Sequence, residues 1–396
     1  LHYPLRRQRQ MCIRDRKMGT KSLLMAMAAL TIAGCSQNEV TEINPDADRT
    51  IGLDVYTGVQ TRGTETTTST LKEADAGFGI FAYKTSKEGW DSEKASTTPD
   101  FMYNEHATWT SGSWGYASLR FWPTNDDKIT FFAYAPYESN PGEGTDQKII
   151  LSAQSDKEAP KITFEVKTSN NWKDMVDLVT DCRTTIKDLT SESNVGNKGT
   201  VQFKFSHVLT QIANVKVKPD VNLGAETRIF VTGLKLSPGS GILYNKAVYD
   251  FGTDAWNAIS PSASYFSAEQ DLSEFVNRTG IDQWGYKKSA VDVSSNTDAT
   301  ALFSEKEALY FIPVNNQNGT AKEGDLSLKI SYDVVTKVND SSNLTSTVTD
   351  KEVKLPQGTF KKGTQHTYVL TIKMNAISIA VDDNMTGWTS NGESNI

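Results

Sequence analysis

Short runs rich in aromatic and β-branched residues, separated by polar turns, recur from residue 51 almost to the C-terminus, and this pattern constrains the fold more than any other feature. Phe78 to Tyr83, Lys128 to Tyr137, Lys161 to Val166, Val201 to Val217, Arg228 to Leu236, Leu309 to Val314, Leu326 to Val335 and Thr367 to Met374 all read as strands. Two stretches read as short helices: Trp172 to Leu178, and Ala268 to Asn277 with Ser267 as its cap. A parallel α/β sheet needs long amphipathic helices between its strands, so the pattern predicts an all-β chain of antiparallel sandwiches. About 360 residues after the leader leave room for two cores. The boundary is expected near Thr200, where Gly196, Asn197, Lys198 and Gly199 form a polar hinge; the expected domains are 51–199 and 200–396. The strand Val201 to Val217 could equally close the first of them.

The first fifty residues have a different character. Lys17 and Lys21 precede an apolar core from Leu23 to Ile32, and the run Leu30-Thr31-Ile32-Ala33-Gly34-Cys35 is a lipobox. The apolar stretch is too short to span a bilayer. Residues 18–34 are therefore expected to be a lipoprotein signal peptide, with the mature chain beginning at an acylated (palmitate-bearing) Cys35 and anchored in the outer membrane at the cell surface. Residues 1–17, which hold Arg6, Arg7, Arg9, Arg14 and Arg16 without any period, read as a leader foreign to the protein, with Met18 as the start. Residues 35–50 are polar and acidic, contain Pro45, and read as a tether.

Removing residues 1–34 takes away seven basic residues and one acidic one, so 41 against 48 becomes 34 against 47, a net charge of −13. Phosphate contact needs a basic face, and this balance excludes a nucleic-acid partner on electrostatic grounds. Of three cysteines only Cys182 lies in the folded part, so burial rather than a disulfide must hold the fold. No His-Glu-x-x-His, Gly-x-Ser-x-Gly, Gly-x-x-x-x-Gly-Lys or zinc-spaced cysteine pair occurs, and no enzyme, cofactor or metal is expected. Asn125-Asp126-Asp127 and Asp382-Asp383-Asn384 read as solvated turns rather than calcium ligands. His207 continues the inward face of Val201, Phe203 and Phe205 and is expected to be a core histidine bonded to a backbone carbonyl. The aromatic cluster Trp109, Trp114, Tyr116, Phe121 and Trp122 reads as core; exposed, Trp109, Trp114 and Trp122 would instead give a monomeric surface lipoprotein that stacks on carbohydrate.

Ile51, Leu53, Val55, Thr57 and Val59 alternate with Gly52, Asp54, Tyr56, Gly58 and Gln60, which predicts a strand with its aliphatic residues on one face. Burying Ile51, Leu53, Val55 and Val59 is worth roughly 6–12 kcal/mol before ordering costs. A strand like this, once lost, leaves an apolar groove that accepts another extended segment of the same alternation.

Leu119-Arg120-Phe121-Trp122-Pro123, Ile129-Thr130-Phe131-Phe132-Ala133-Tyr134-Ala135-Pro136-Tyr137, Asp177-Leu178-Val179, Val201-Gln202-Phe203-Lys204-Phe205-Ser206-His207-Val208-Leu209, Gly363, Tyr368-Val369-Leu370-Thr371-Ile372 and Gly387-Trp388 follow one another in an order that resembles the fimbrillin family of Bacteroidota. The resemblance implies a type V pilus subunit of two transthyretin-like, Greek-key β-sandwiches, exported as a lipoprotein. It implies cutting by an arginine-specific protease, loss of the first strand, and donor-strand exchange with other pilus subunits in a fimbrium that adheres to host or bacterial surfaces. Arg62, just after the alternating strand, is the expected cutting site, with Arg49 as the alternative. Asn375 to Val381 alternates as a donor strand should.

Overall fold

A computed structural model describes residues 49–56, 66–73, 75–139, 148–166, 172, 175–192, 199–239, 241–260, 262–266, 268–278, 286, 288–304, 307–313, 325–340, 342–356, 360–373 and 377–382. The expected all-β class is what the chain adopts, as several stacked sheets joined by turns.

The first half supplies β1 (Gly52–Tyr56), β2 (Phe78–Thr85), β3 (Met102–Thr110), β4 (Ser113–Gly115), β5 (Lys128–Ala135), β6 (Lys148–Leu151), β7 (Lys161–Glu165) and β8 (Val179–Asp181). The chain continues with β9 (Thr200–Lys204), β10 (Ser206–His207), β11 (Thr210–Pro219), β12 (Thr227–Pro238) and β13 (Leu243–Asp250). A six-stranded sheet runs β10-β8-β5-β2-β3-β4, and β1 and β9 form a separate two-stranded sheet. A ten-stranded sheet follows the path Ile377–Asp382, Gln365–Ile372, β11, Leu309–Pro313, β13, β7, β6, and a five-stranded sheet is built on β12 and the long hairpin Leu326–Asn339 and Ser342–Lys354.

The period of two explains why β2 and β5 read as unbroken apolar runs. Phe78, Ile80 and Ala82 of β2, with Ile129, Phe131, Ala133 and Ala135 of β5, face the core shared with β1 and β9. Phe81, Tyr83, Phe132 and Tyr134 point the other way, into the large core that the ten- and five-stranded sheets also line. Both faces of this sheet are covered, so neither face is polar.

The strand pairings cross the expected boundary at residue 199/200 in both directions. β9 and β10 serve β1 and β8, while β6 and β7 reach forward to β13. Val201 to Val217 is not one strand but three, β9, β10 and β11, broken at Phe205 and at Val208–Leu209.

Of the first expected helix, Trp172 lies in a 3-10 turn and Met175–Leu178 is irregular, while residues 173–174 lie outside the described residues; Trp172, Met175 and Leu178 all point into the large core. The second does not form. Ala268–Asn277 holds a two-residue strand, Gln270–Asp271, that pairs with Lys235 and Leu236 of β12, then a 3-10 turn over Ser273–Phe275. Pairing to β12 overrides local propensity there; Ser267 lies outside the described residues.

Candidate functional site: the first-strand groove

β1 departs most from the antiparallel plan. It has one strand partner, β9, and the pairing is parallel, Gly52–Tyr56 against Thr200–Lys204. Its alternation works as expected: Ile51, Leu53 and Val55 are 1, 8 and 8 % exposed, and Asp54 and Tyr56 face outward. The three aliphatic side chains share one core with Phe78, Phe131, Trp122, Val201 and Phe203. Phe78 packs edge-on against Trp114, Phe203 and Phe205 at centroid distances of 5.1, 5.4 and 5.4 Å. Burial of the three β1 side chains is worth roughly 4.5–9 kcal/mol at 1.5–3 each.

A strap over residues 116–122 crosses the N-terminal end of β1 on the side away from β9. The Ile51 amide donates to the Arg120 carbonyl at 2.9 Å, the Trp122 amide donates to the Arg49 carbonyl at 2.9 Å, and Thr50 bridges Phe121 antiparallel. The Tyr116 hydroxyl donates to the Ile51 carbonyl at 2.8 Å, and the Arg49 guanidinium donates to the Trp122 carbonyl. Burial pushes the Tyr116 hydroxyl pKa up, which keeps it a donor through neutral pH. The strap is anchored by Arg120 Nε on the Phe101 carbonyl at 2.9 Å and by the Trp122 indole on the Gly199 carbonyl at 3.0 Å. That carbonyl also accepts the Gly52 amide at 3.2 Å.

Beyond β1 the described chain resumes at Thr66, which is held firmly. Its amide donates to Asp177 Oδ2 at 3.1 Å and its hydroxyl to the Asp177 carbonyl at 2.9 Å. His207 Nδ1 lies 2.8 Å from the same Oδ2, and Asp177 is fully buried. The partner at His207 Nδ1 is thus a carboxylate, where a backbone carbonyl was expected. β10 is only two residues long, and its pairing to β8 brings the imidazole to the segment just before β8. Thr67 then caps helix α1 (Thr68–Leu71) through a reciprocal pair with Thr70.

Of the expected site residues, Arg49, Ile51, Leu53 and Val55 meet in this groove, while Cys35, Val59 and Arg62 lie outside the described residues. Trp122 and Trp114 are buried and Trp109 is half-buried. Trp109 and Trp114 meet edge to face at 5.5 Å and 68°, and the Lys72 ammonium stands 3.9 Å from the centre of the Trp109 ring. The three indoles therefore present no open, coplanar face to a sugar. Sequence reasoning missed the strap itself and Thr200; the signal for the strap was Tyr116, which was legible only as one more aromatic residue.

Stacked sheets, mainly antiparallel but with parallel pairing of β11 to Gln365–Ile372 and of β1 to β9, make this a β-sandwich protein. The sequence model of the fimbrillin-like family matches residues 61–388, and the chain belongs to that family. The chain is 75% identical over 379 residues to the fimbrium subunit Fim1C of Phocaeicola vulgatus, covering 96% of this chain and 99% of that protein. It is also similar to the crystal structure of a fimbrial protein from Bacteroides vulgatus ATCC 8482, with a TM-score of 0.78 and 74% identity over 86% of this chain and 100% of that one.

Proposed function

We propose that the chain is a structural, non-catalytic subunit of a cell-surface fimbria, exported as an outer-membrane lipoprotein through Cys35 and assembled by strand exchange once an arginine-specific protease removes its first strand at Arg62. The observation that carries this reading is β1: one strand partner among the described residues, three buried core side chains, and Arg62 placed in sequence between it and the anchored Thr66. The family match covers residues 61–388 and so begins beyond β1.

Arg49 is the poorer cutting site. Its carbonyl and guanidinium are both bonded to Trp122 and the next residue is bridged to Phe121, so a protease would have to open the strap first. A cut there would also leave β1 in its groove.

The strand Ile377–Asp382 carries Ile377, Ile379 and Val381 in the alternation of Ile51, Leu53 and Val55, and suits the groove of a second copy. Adhesion to host or bacterial surfaces is a property of the assembled fimbria in this reading.

The test is to treat the purified, acylated protein with an arginine-specific protease and to follow it by mass spectrometry and mild gel electrophoresis. The expected result is a new N-terminus at Gly63 and a ladder of multimers. A chain that keeps its first strand and stays monomeric overturns the reading.

A further inference from the structure

We infer that Thr200 selects the register of whichever strand occupies the first-strand groove, by admitting only a small residue at the place now held by Gly52. The inference rests on the strand-exchange reading for its biological use. It rests on the geometry of the groove for its content.

Two kinds of contact hold β1, and they read different things. Apart from the Arg49 guanidinium on the Trp122 carbonyl, the strap contacts reach the main chain of residues 49–51: Arg120 and Trp122 through backbone groups, Tyr116 through its hydroxyl on the Ile51 carbonyl. Every strand offers the same amides and carbonyls, so the strap grips any sequence and, because side chains alternate with a period of two, grips one shifted by two residues equally well. It fixes the height of the strand without choosing its register.

Thr200 supplies the choice. It lies directly across the parallel pair from Gly52, and a Cβ at position 52 would stand 2.7 Å from the Thr200 hydroxyl and 3.4 Å from its Cα and Cβ. Gly52 has no positive φ that would demand glycine, so the requirement is steric alone. A threonine side chain is stiff at χ1, yet its hydroxyl can turn aside for a serine Cβ and gain a hydroxyl partner. A β-branched or acidic side chain brings further atoms to the same place and is excluded.

The aliphatic residues at 51, 53 and 55 would tolerate a two-residue slip; the notch at Thr200 does not. In Ile377–Asp382, Ser378 falls at the glycine place when Ile377, Ile379 and Val381 are set on Ile51, Leu53 and Val55. Ala380, two residues on, is equally small, so the notch limits the last strand of a second copy to the registers that set Ser378 or Ala380 opposite Thr200.

The test uses the full chain cut after Arg62 and two fluorescent peptides: residues 49–60, and the same peptide with Gly52 and Asp54 exchanged, which keeps composition and alternation but moves the small residue by two. The expected result is uptake of the native peptide about tenfold better than the exchanged one, narrowing to about threefold or less in Thr200→Ala, with Tyr116→Phe weakening both peptides alike. A preference that Thr200→Ala leaves unchanged overturns the inference. If the protease does not cut at Arg62, or the cut chain takes up neither peptide, strand exchange fails and the notch is read in the intact chain. There Gly52→Val is expected to speed amide exchange over residues 49–56 about tenfold, and Gly52→Val with Thr200→Ala to restore it. No restoration in the double variant also overturns the inference.

Discussion

β1 and the strand Ile377–Asp382 have the same aliphatic alternation but opposite situations. β1 pairs in parallel with one short strand, is gripped by the strap at its start, and buries Ile51, Leu53 and Val55 in the core that β2, β5 and β9 also line. The last strand pairs antiparallel with Gln365–Ile372 at the edge of a ten-stranded sheet, and its aliphatic residues are half-buried against a core that is already closed by its neighbours. The first strand completes a core, and the last decorates one. A polymer built by strand exchange needs this inequality, because the acceptor site must be costly to leave empty and the donor cheap to lift away.

The sharpest way to break the comparison is to truncate both strands equally. Leu53→Ala is expected to lower unfolding stability by about 2–5 kcal/mol, the range for a buried leucine, while Ile379→Ala costs about 1 kcal/mol. Urea unfolding of the two variants reads the difference. Equal losses would mean that the last strand is as integral as the first and is no donor.

Much of this contrast was legible in the sequence, and what was not has particular causes. The two-residue period of Ile51, Leu53 and Val55 placed β1 and its buried face correctly. β3 and Ser342–Lys354 gave no such signal: β3 is mostly half-buried, Ser342–Lys354 lies at the outer edge of its sheet with most residues exposed, and both therefore read as turn and loop composition. The helix expected at Trp172 to Leu178 does not extend over Met175–Leu178, because inward side chains at a spacing of three can be delivered by irregular chain as well as by a helix. The parallel register of β1 on β9, with more than 140 residues between them, has no local signature in either segment. Tyr116 and Thr200 act through main-chain and steric contacts across that distance, so neither stands out from its own neighbours in sequence.

A second prediction concerns what lies beyond β1. Thr66 is fastened to Asp177, and Asp177 also holds His207, so the body of the subunit is secured immediately after the segment that contains Arg62. Asp177→Ala removes the acceptor of both groups and is expected to cost about 1–3 kcal/mol for each donor left buried without it. The arginine-specific protease should also cut the variant at Arg62 faster than the parent, because the anchor at Thr66 is loosened. If the cutting rate is unchanged, Thr66 does not delimit the removable region, and the boundary between the exchanged strand and the fixed body lies elsewhere.

The smallest expected effect tests whether the fixed body stays closed while its first strand is exchanged. The half-buried Cys182, just after β8, meets Asp254 Oδ1 at 3.4 Å; Tyr249 donates to the same oxygen, and Lys362 reaches the other at 2.6 Å. Residues from the six-stranded sheet, from the turn after β13 and from the loop before Gln365–Ile372 thus meet at one carboxylate. Burial, with Asp254 beside it, pushes the Cys182 thiol up to about 12. The thiol is neutral at pH 8 and should react with a disulfide reagent far more slowly than a free thiol of pKa about 8.5. An unfolded chain releases this proton first as pH rises, so the stability linked to the thiol is fully present below about pH 8.5 and is lost toward pH 12. Cutting at Arg62 removes nothing from this node, so the labelling rate at pH 8 is expected to be the same before and after the cut. A thiol that becomes reactive on cutting would show that β1 supports the junction as well as its own groove, and that the first strand is not a separable part of the fold.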